Sequence, residues 1–369
     1  MADILKVIGL MSGTSLDGVD AALLDTNGED VVSLGPAITT AYDAETRAGL
    51  RAALDLARGV AAGAPVPHAI REAERRVTEA HADVVKALLR AAHVDASRVA
   101  LIGFHGQTIL HRPQERWTWQ IGDGALLARL TGIDVVNDFR SADVKAGGEG
   151  APLVPLFHAA LVRAAKGLIH PVAVVNIGGV SNVTYVGADA VLAFDTGPGN
   201  APIDDWAQTH LGRPVDMDGA LARKGKVHNA VLDHMLEHAF FTRKPPKSLD
   251  RLDFNADAVK GLSPEDGAAT LTAFTAAAIA RAREHFPDPA TTWVVCGGGR
   301  LNPVIMDELK KRVNAPVIAA EDVGWRGDSL EAEAFGYLAV RSVNGLPLSL
   351  PTTTAVAAPM TGGKLHRAR

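Results

Sequence analysis

Short apolar runs closed by clusters of Gly, Ser and Asp open both halves of this chain. Residues 4–11 form the first run, a turn rich in Ser and Gly covers 12–18, and residues 19–25 form the return. Strand, tight polar turn and strand are the signal of a β-hairpin. A third strand is predicted over 31–34. Residues 44–56 and 68–92 read as helices; in the second, Ile70, Ala73, Val77, Ala80, Val84 and Leu88 recur at spacings of three and four, which places one apolar face along a helix. A buried strand over 99–104 is expected to end in a loop, His105-Gly106-Gln107-Thr108. Further strands are predicted at 117–121 and 134–137, with a helix at 123–130 between them. Trp117 and Trp119 lie two apart, hence on one strand face, as core or interface.

The second half restarts like the first. Residues 171–177 predict a strand, 178–182 a turn, 183–187 the returning strand and 191–195 a third. A helix at 155–165 leads into this half; helices follow the strands at 202–211, 229–238 and 264–286, then a strand at 292–296, a Gly-Gly-Gly turn at 297–299, a helix, a strand at 317–318, and an apolar helix at 331–343 that packs back on a sheet. Two halves with one order of elements form an internal repeat of long period. The polar segment 145–152, with Gly147, Gly148 and Gly150, is expected to be flexible and to lie near the passage between two domains.

Composition narrows this picture. The chain has 369 residues, enough for two domains, and is 47% hydrophobic and 21% charged. A net charge of -5 argues against a nucleic-acid partner held by bulk electrostatics. A single cysteine, Cys296, excludes an intramolecular disulfide and a paired-cysteine zinc site, and suits a reducing compartment. Charges fall within the first six residues, and no apolar run reaches the ~18 residues of a membrane span. A cytoplasmic protein without a membrane partner is expected.

Several chemistries are missing from the pattern. There is no GxxxxGK[ST], no GxSxG and no HExxH. His234 and His238 stand one helical turn apart, but no third ligand is pointed to, and a solvated helix face beside Glu237 is the plainer reading.

Four segments carry candidate chemistry. In Gly9-Leu10-Met11-Ser12-Gly13-Thr14-Ser15-Leu16-Asp17-Gly18-Val19-Asp20, small residues let backbone N–H groups approach phosphate oxygens. Ser12, Thr14 and Ser15 add hydroxyls, and Asp17 and Asp20 could hold Mg²⁺ through its waters. The alternative is an ordinary glycine-rich hairpin turn. In Phe194-Asp195-Thr196-Gly197-Pro198-Gly199-Asn200, Asp195 ends an apolar strand just before a helix. A carboxylate held rigidly there can be a general base or a metal ligand, or simply a turn former. Gly178 and Gly179, in Asn176-Ile177-Gly178-Gly179-Val180-Ser181-Asn182, form the counterpart turn of the second half, another candidate phosphate loop. Gly297, Gly298 and Gly299 offer a flat backbone surface for an adenine. His105 and Thr108, then Asn137 and Arg140 in Asn137-Asp138-Phe139-Arg140, follow buried strands, as binding loops do. Arg140 could grip a carboxylate or phosphate bidentately. Asp123 and Glu331 are further candidate polar contacts.

Taken together with Gly150-Ala151-Pro152-Leu153-Val154-Pro155, these segments closely resemble the anhydro-N-acetylmuramic acid kinase family, of the sugar kinase/Hsp70/actin superfamily. The matching pieces run in the family's order over nearly the whole chain. The resemblance implies an α/β fold of two RNase H-like (actin/hexokinase-type) domains around a central nucleotide and substrate cleft. The expected domains are 1–140 with 346–369, and 141–345. It implies an enzyme that uses ATP and Mg²⁺, opens the 1,6-anhydro ring of anhydro-N-acetylmuramic acid and phosphorylates O6 to N-acetylmuramate 6-phosphate, in peptidoglycan recycling. It also implies a homodimer whose domains close on their substrates. By position, Asp195 matches the catalytic base. Gly13 to Asp20 match the ATP-phosphate segment, and Gly297 to Gly299 match the nucleotide-side turn. Arg140 and Glu331 match positions near the sugar, with His105, Thr108, Asp123 and Asn137 as its binding residues. Two other readings follow from the superfamily: a kinase of another sugar or acid, and an actin- or Hsp70-like ATPase switch. The loop 243–251, with Pro245-Pro246, is left without a role, and the basic tail 352–369 is expected to fray.

Overall fold

The computed structural model describes residues 3–13, 15–249 and 251–368. These form two compact units, residues 1–164 with 329–369 and residues 165–328.

The first unit opens with a meander: β1 (Leu5–Ser12), β2 (Gly18–Thr26) and β3 (Val31–Ala41), antiparallel in turn. Two helices follow, α1 (Ala44–Ala57) and α2 (His68–Ala92). The Asp43 side chain accepts from the Thr46 N–H and caps α1. The periodic face of α2 is buried at Ile70, Ala73, Val77, Val84 and Leu88, as its spacing predicts. The chain then returns to the sheet as β4 (Leu101–Arg112), parallel to β1, with β5 (Trp117–Ile121) antiparallel to it. The stacked Trp117 and Trp119 rings lie on β5 with centroids 5.8 Å apart. After α3 (Gly124–Thr131) comes β6 (Val135–Asn137), parallel to β4. The short α4 (Ser141–Lys145) and α5 (Pro155–Ala164) end this stretch.

The second unit repeats the plan. β7 (Val172–Ile177), β8 (Val180–Val186) and β9 (Val191–Pro198) form an antiparallel meander. α6 (Ala201–Leu211) and α7 (Asn229–Leu236) follow. α8 (Pro264–Ala280) is Ala-rich and buried on nearly every side, so it runs through the core and shows no amphipathic stripe. It ends at Ala280 in a tighter turn, where the pattern predicted helix to 286. β10 (Thr292–Cys296) is parallel to β7; α9 (Pro303–Arg312) leads to β11 (Val317–Ala319), parallel to β10.

The chain then re-enters the first unit as α10 (Leu330–Val343) and ends in β12 (Lys364–His366), antiparallel to β6. α10 lies directly on β1 and β4 because both strands present glycine there. A Cβ on Gly9 would overlap the Ala332 carbonyl oxygen, and one on Gly103 would overlap that of Phe335.

Among the described residues the sheets run β12-β6-β4-β1-β2-β3 and β11-β10-β7-β8-β9. Each has a three-stranded meander whose first strand is flanked by two further parallel strands. This is the RNase H-like topology, present twice.

Four local expectations are corrected. First, His105–Thr108 is not a loop. Gly106 adopts φ +71° and the pairing shifts from Leu10–Phe104 to Ser12–Gln107, so β4 bulges and runs on to Arg112. Second, segment 145–152 is tied down. The buried Asp143 carboxylate accepts from the Gly150 N–H at 2.7 Å and from the Ser349 and Thr354 hydroxyls, while the Glu149 N–H donates to the Thr354 carbonyl. Third, the units divide at 164/165 and 328/329 rather than at 140/141 and 345/346, because α5 packs on β3 and α10, and α10 on β1, β2 and β4. Fourth, the tail does not fray: β12 pairs with β6, and Arg367 bonds to Asp134 at 2.6 Å.

Candidate functional site

In the first unit the turn between β1 and β2 is held from below. Leu16 takes φ +56°, its N–H donates to the Gly13 carbonyl, and its side chain is buried. Arg47 donates to the Leu16 and Asp17 carbonyls at 2.9 and 3.3 Å. Thr14 lies outside the described residues. Ser12, a candidate phosphate donor by sequence, is buried and points inward: it accepts from Tyr42 Oη at 2.8 Å and donates to Gln107 Oε1 at 2.6 Å. Gln107 Nε2 in turn donates to the Gly13 carbonyl at 3.2 Å. A chain of three side chains therefore anchors the first residue of the turn to the bulge in β4. Gly18, Val19 and Asp20 sit within β2 and have ladder partners on β3. Asp17 is exposed and accepts from Ser15 Oγ at 2.7 Å; Asp20 accepts from Thr39 Oγ1 at 2.5 Å.

A second cluster in this unit surrounds Arg140. Its Nε–H donates to His105 Nε2 at 3.1 Å, its Nη1 donates to the Gly150 carbonyl at 2.7 Å, and the guanidinium lies 5.9 Å from the Phe335 ring centroid. Burial draws Arg140 down to about 10, against the opposing pull of Glu331 and Asp143, so it stays charged at neutral pH. His105 is held far below its ordinary value, first by burial and then by the Arg140 charge. It is a neutral ring that positions Arg140 and has no ring nitrogen left for a ligand. Glu331, at the start of α10, supplies negative charge to Arg140.

Asp123 and Asn137 line a pocket of about 360 Å³ together with Glu74, Trp119, Gln120 and His366. Asp123 Oδ1 caps α3 by accepting from Leu126 N, and Asn137 bonds to the Gly122 carbonyl and to His366. Each is thus partly committed to structure. Thr108 accepts from Gln120 Nε2 at 3.2 Å beside the pocket.

In the second unit three glycine turns converge on Asn200. The Gly199 and Asn200 N–H groups donate to the Gly179 and Gly178 carbonyls at 2.9 and 2.7 Å. Asn200 Nδ2 donates to the Ile177 carbonyl, and Cβ atoms added at Gly298 and Gly299 would come within 3.6 and 3.1 Å of its side chain. Gly297 takes φ +72°, where any side chain would strike Asn176 and the Ile177 carbonyl. Arg300 fastens this turn: it donates to the Gly297 carbonyl, to Asp328 at 2.8 and 2.9 Å, and to Glu321. Ser181 and Thr196 share a buried 2.7 Å hydroxyl contact that ties β8 to β9.

Asp195 lies in β9, opposite Asn182. Its outer edge is covered by the loop that sequence left without a role. The Asp195 N–H donates to the Lys247 carbonyl at 2.9 Å, and Asp195 Oδ2 accepts from the Leu249 N–H at 2.8 Å. Sequence reasoning missed both contacts, since they link positions more than fifty residues apart; it also gave Asn200 no role of its own, though Asn200 ends the Asp-Thr-Gly-Pro-Gly-Asn run. Among the described residues no group of three His, Cys, Asp or Glu has metal-cage geometry, and no helix is long and apolar enough to cross a membrane. His234 bonds to Glu237, and His238 accepts from Phe240 N, so the helical pair is engaged separately.

Two RNase H-like units, each with a glycine-rich turn after its first strand, are the fold of the sugar kinase and actin class. Within that class the chain belongs to the anhydro-N-acetylmuramic acid kinase family, whose model matches residues 5–368. It is 56% identical over 366 residues to the anhydro-N-acetylmuramic acid kinase of Paramagnetospirillum magneticum, covering 98% of this chain and 99% of the relative. It is 54% identical over 358 residues to that of Rhodospirillum rubrum (96% and 92% covered) and 51% identical over 365 residues to that of Rhizorhabdus wittichii (98% and 99%). The chain is a kinase that uses ATP.

Proposed function

We propose that this kinase binds ATP and 1,6-anhydro-N-acetylmuramic acid and couples opening of the anhydro ring to phosphorylation of O6. The observation that carries the reading is the fixed Asp195 carboxylate, with Oδ2 bound to the Leu249 N–H and the peptide pinned to Lys247. Asp195 takes a proton from water as the water oxygen bonds to C1. The C1–O6 bond breaks, and the O6 electron pair attacks the γ-phosphorus. The bond from that phosphorus to the β,γ-bridging oxygen breaks, and ADP leaves. The products are N-acetylmuramate 6-phosphate and ADP, a step of peptidoglycan recycling.

The protein's part is positioning and charge neutralisation, as in phosphoryl transfer generally. Gly13, Ser15 and Asp17 offer backbone N–H groups to phosphate, while the Leu16 N–H closes the turn on the Gly13 carbonyl, and Gly178, Gly179 and Gly297 to Gly299 offer a backbone surface to the nucleotide. Arg140 and Glu331 meet the sugar, with His105 behind Arg140 and with Thr108, Asp123 and Asn137 as further polar contacts. Asp17 and Asp20 already accept from the Ser15 and Thr39 hydroxyls. That suits a hydrated Mg²⁺ carried by the phosphates better than a cage of protein ligands. When bound, the ion would neutralise phosphate charge. A homodimer and a cytoplasmic location complete the reading and rest on the family resemblance.

The test is incubation with Mg-ATP and the anhydro-sugar in ¹⁸O-labelled water, read by mass spectrometry. Label on the anomeric oxygen with one phosphate on O6 supports the coupled reaction. Unchanged anhydro-sugar beside ATP overturns it.

A further inference from the structure

The loop over 243–251 carries a buried cation outside the residues assigned above. Lys247 is only 5% exposed. Its Nζ donates to the Phe240 carbonyl at 3.2 Å, lies 4.4 Å from the centre of the Phe240 ring and 5.8 Å from that of Phe194. Phe194 is the residue before Asp195, so the same lysine contacts β9 from its side chain and from its backbone. An ammonium seated in an aromatic box with one carbonyl acceptor is a strong local anchor, because both contacts strengthen where water is excluded.

We infer that Lys247 is a positioning residue: its seated ammonium fixes residues 247–249, whose backbone carbonyl and N–H bracket Asp195 and hold its carboxylate in place for the attacking water. The inference rests on Asp195 being the base. β9 is the edge of its sheet, so without this segment Asp195 would lose its outer backbone partner and the donor to Oδ2 together. The charged groups facing Lys247 are Arg243 on its own loop and Arg281, Glu284 and His285 after α8; burial, helped by the arginines, lowers the amine to about 8, which leaves it mostly protonated at pH 7.

Lys247→Met tests this, since a thioether fills the same apolar box and removes only the donor and the charge. The Leu249 N–H favours the ionised form of Asp195, so losing it raises the carboxyl's pKa. The expected result is kcat at least about tenfold lower at pH 7. KM for both substrates should stay within about twofold, and the acid limb of the kcat–pH profile should move up by about half a unit or more. Lys247→Arg keeps the cation and should recover part of kcat. Unchanged kcat with an unmoved limb overturns the inference. If Lys247→Met fails to melt cooperatively, Leu249→Pro removes the N–H that meets Oδ2, along with the leucine side chain; an upward limb supports the inference and an unmoved one overturns it. Asp195→Asn run alongside separates the two claims. If it is inactive and the limb is unmoved in the lysine variant, the base stands and the positioning role falls. If it is active, the base reading itself falls.

Discussion

The Nε–H of Arg140 donates to Nε2 of His105 across 3.1 Å, while His105 Nδ1 meets the Gly106 carbonyl at 2.8 Å. Both contacts are satisfied by one tautomer, the neutral ring protonated on Nδ1. The bulge at Gly106 supplies the carbonyl that selects it. His105 is thus a fixed acceptor that turns the Arg140 fork.

His105→Phe removes that acceptor while keeping a ring beside Phe335. Activity should fall at least about tenfold, and His105→Gln should retain more of it than the phenylalanine variant. Because burial and Arg140 hold the imidazole well below its ordinary value, wild-type kcat should show no limb from this group near pH 6.5. Steady-state kinetics of the two variants across pH check both statements.

Asp195→Asn keeps an acceptor for the Leu249 N–H but cannot take a proton. Turnover should drop by roughly 10²-fold or more, with ATP and sugar binding retained by calorimetry. Near-wild-type turnover would remove Asp195 from the base role.

Asp328→Asn weakens the bidentate grip on Arg300, which holds the Gly297 carbonyl. KM for ATP should rise several-fold while KM for the sugar stays level. Equal changes in both would place the turn outside the nucleotide site.

Gly9→Ala puts a methyl group into the Ala332 carbonyl. Neither backbone can give way without lifting α10 from the sheet, so stability should fall by about 3 kcal/mol, the upper range for overpacking. A urea titration followed by circular dichroism reads this; an unmoved midpoint would mean α10 is not seated as described.

Acid should unfold the protein through buried histidines. Burial lowers His81 to about 4 and His158 to about 3. Each is neutral in the folded state and binds a proton once unfolded. Their contribution is therefore full above about pH 6.5 and shrinks as pH falls from there toward the folded values, by about 1.4 kcal/mol per pH unit for each. For His81 the whole span is about 3 kcal/mol. The urea midpoint should fall steadily from pH 6.5 to 4, and His81→Phe should flatten part of that slope.

What the sequence by itself determined is local. The six apolar positions of α2 share one face whatever lies opposite, so periodicity located the helix, and the predicted span 68–92 coincides with His68–Ala92. Apolar runs closed by small residues likewise located the two meanders and the segment that holds Asp195. Composition and spacing could not reach contacts between distant positions. His105 and Gln107 are polar, and the run before them ends at Phe104, so the pattern reads a loop. Only the partners Arg140 and Ser12, 35 and 95 residues away, let these side chains be buried and β4 continue. Lys247 and Leu249 read as a surface loop with prolines, yet they close the edge of β9 around Asp195. The tail reads as a basic end, yet it pairs with β6. Burying a polar group is favourable only when its hydrogen-bond partner arrives with it, and where that partner is far along the chain, only the tertiary structure decides.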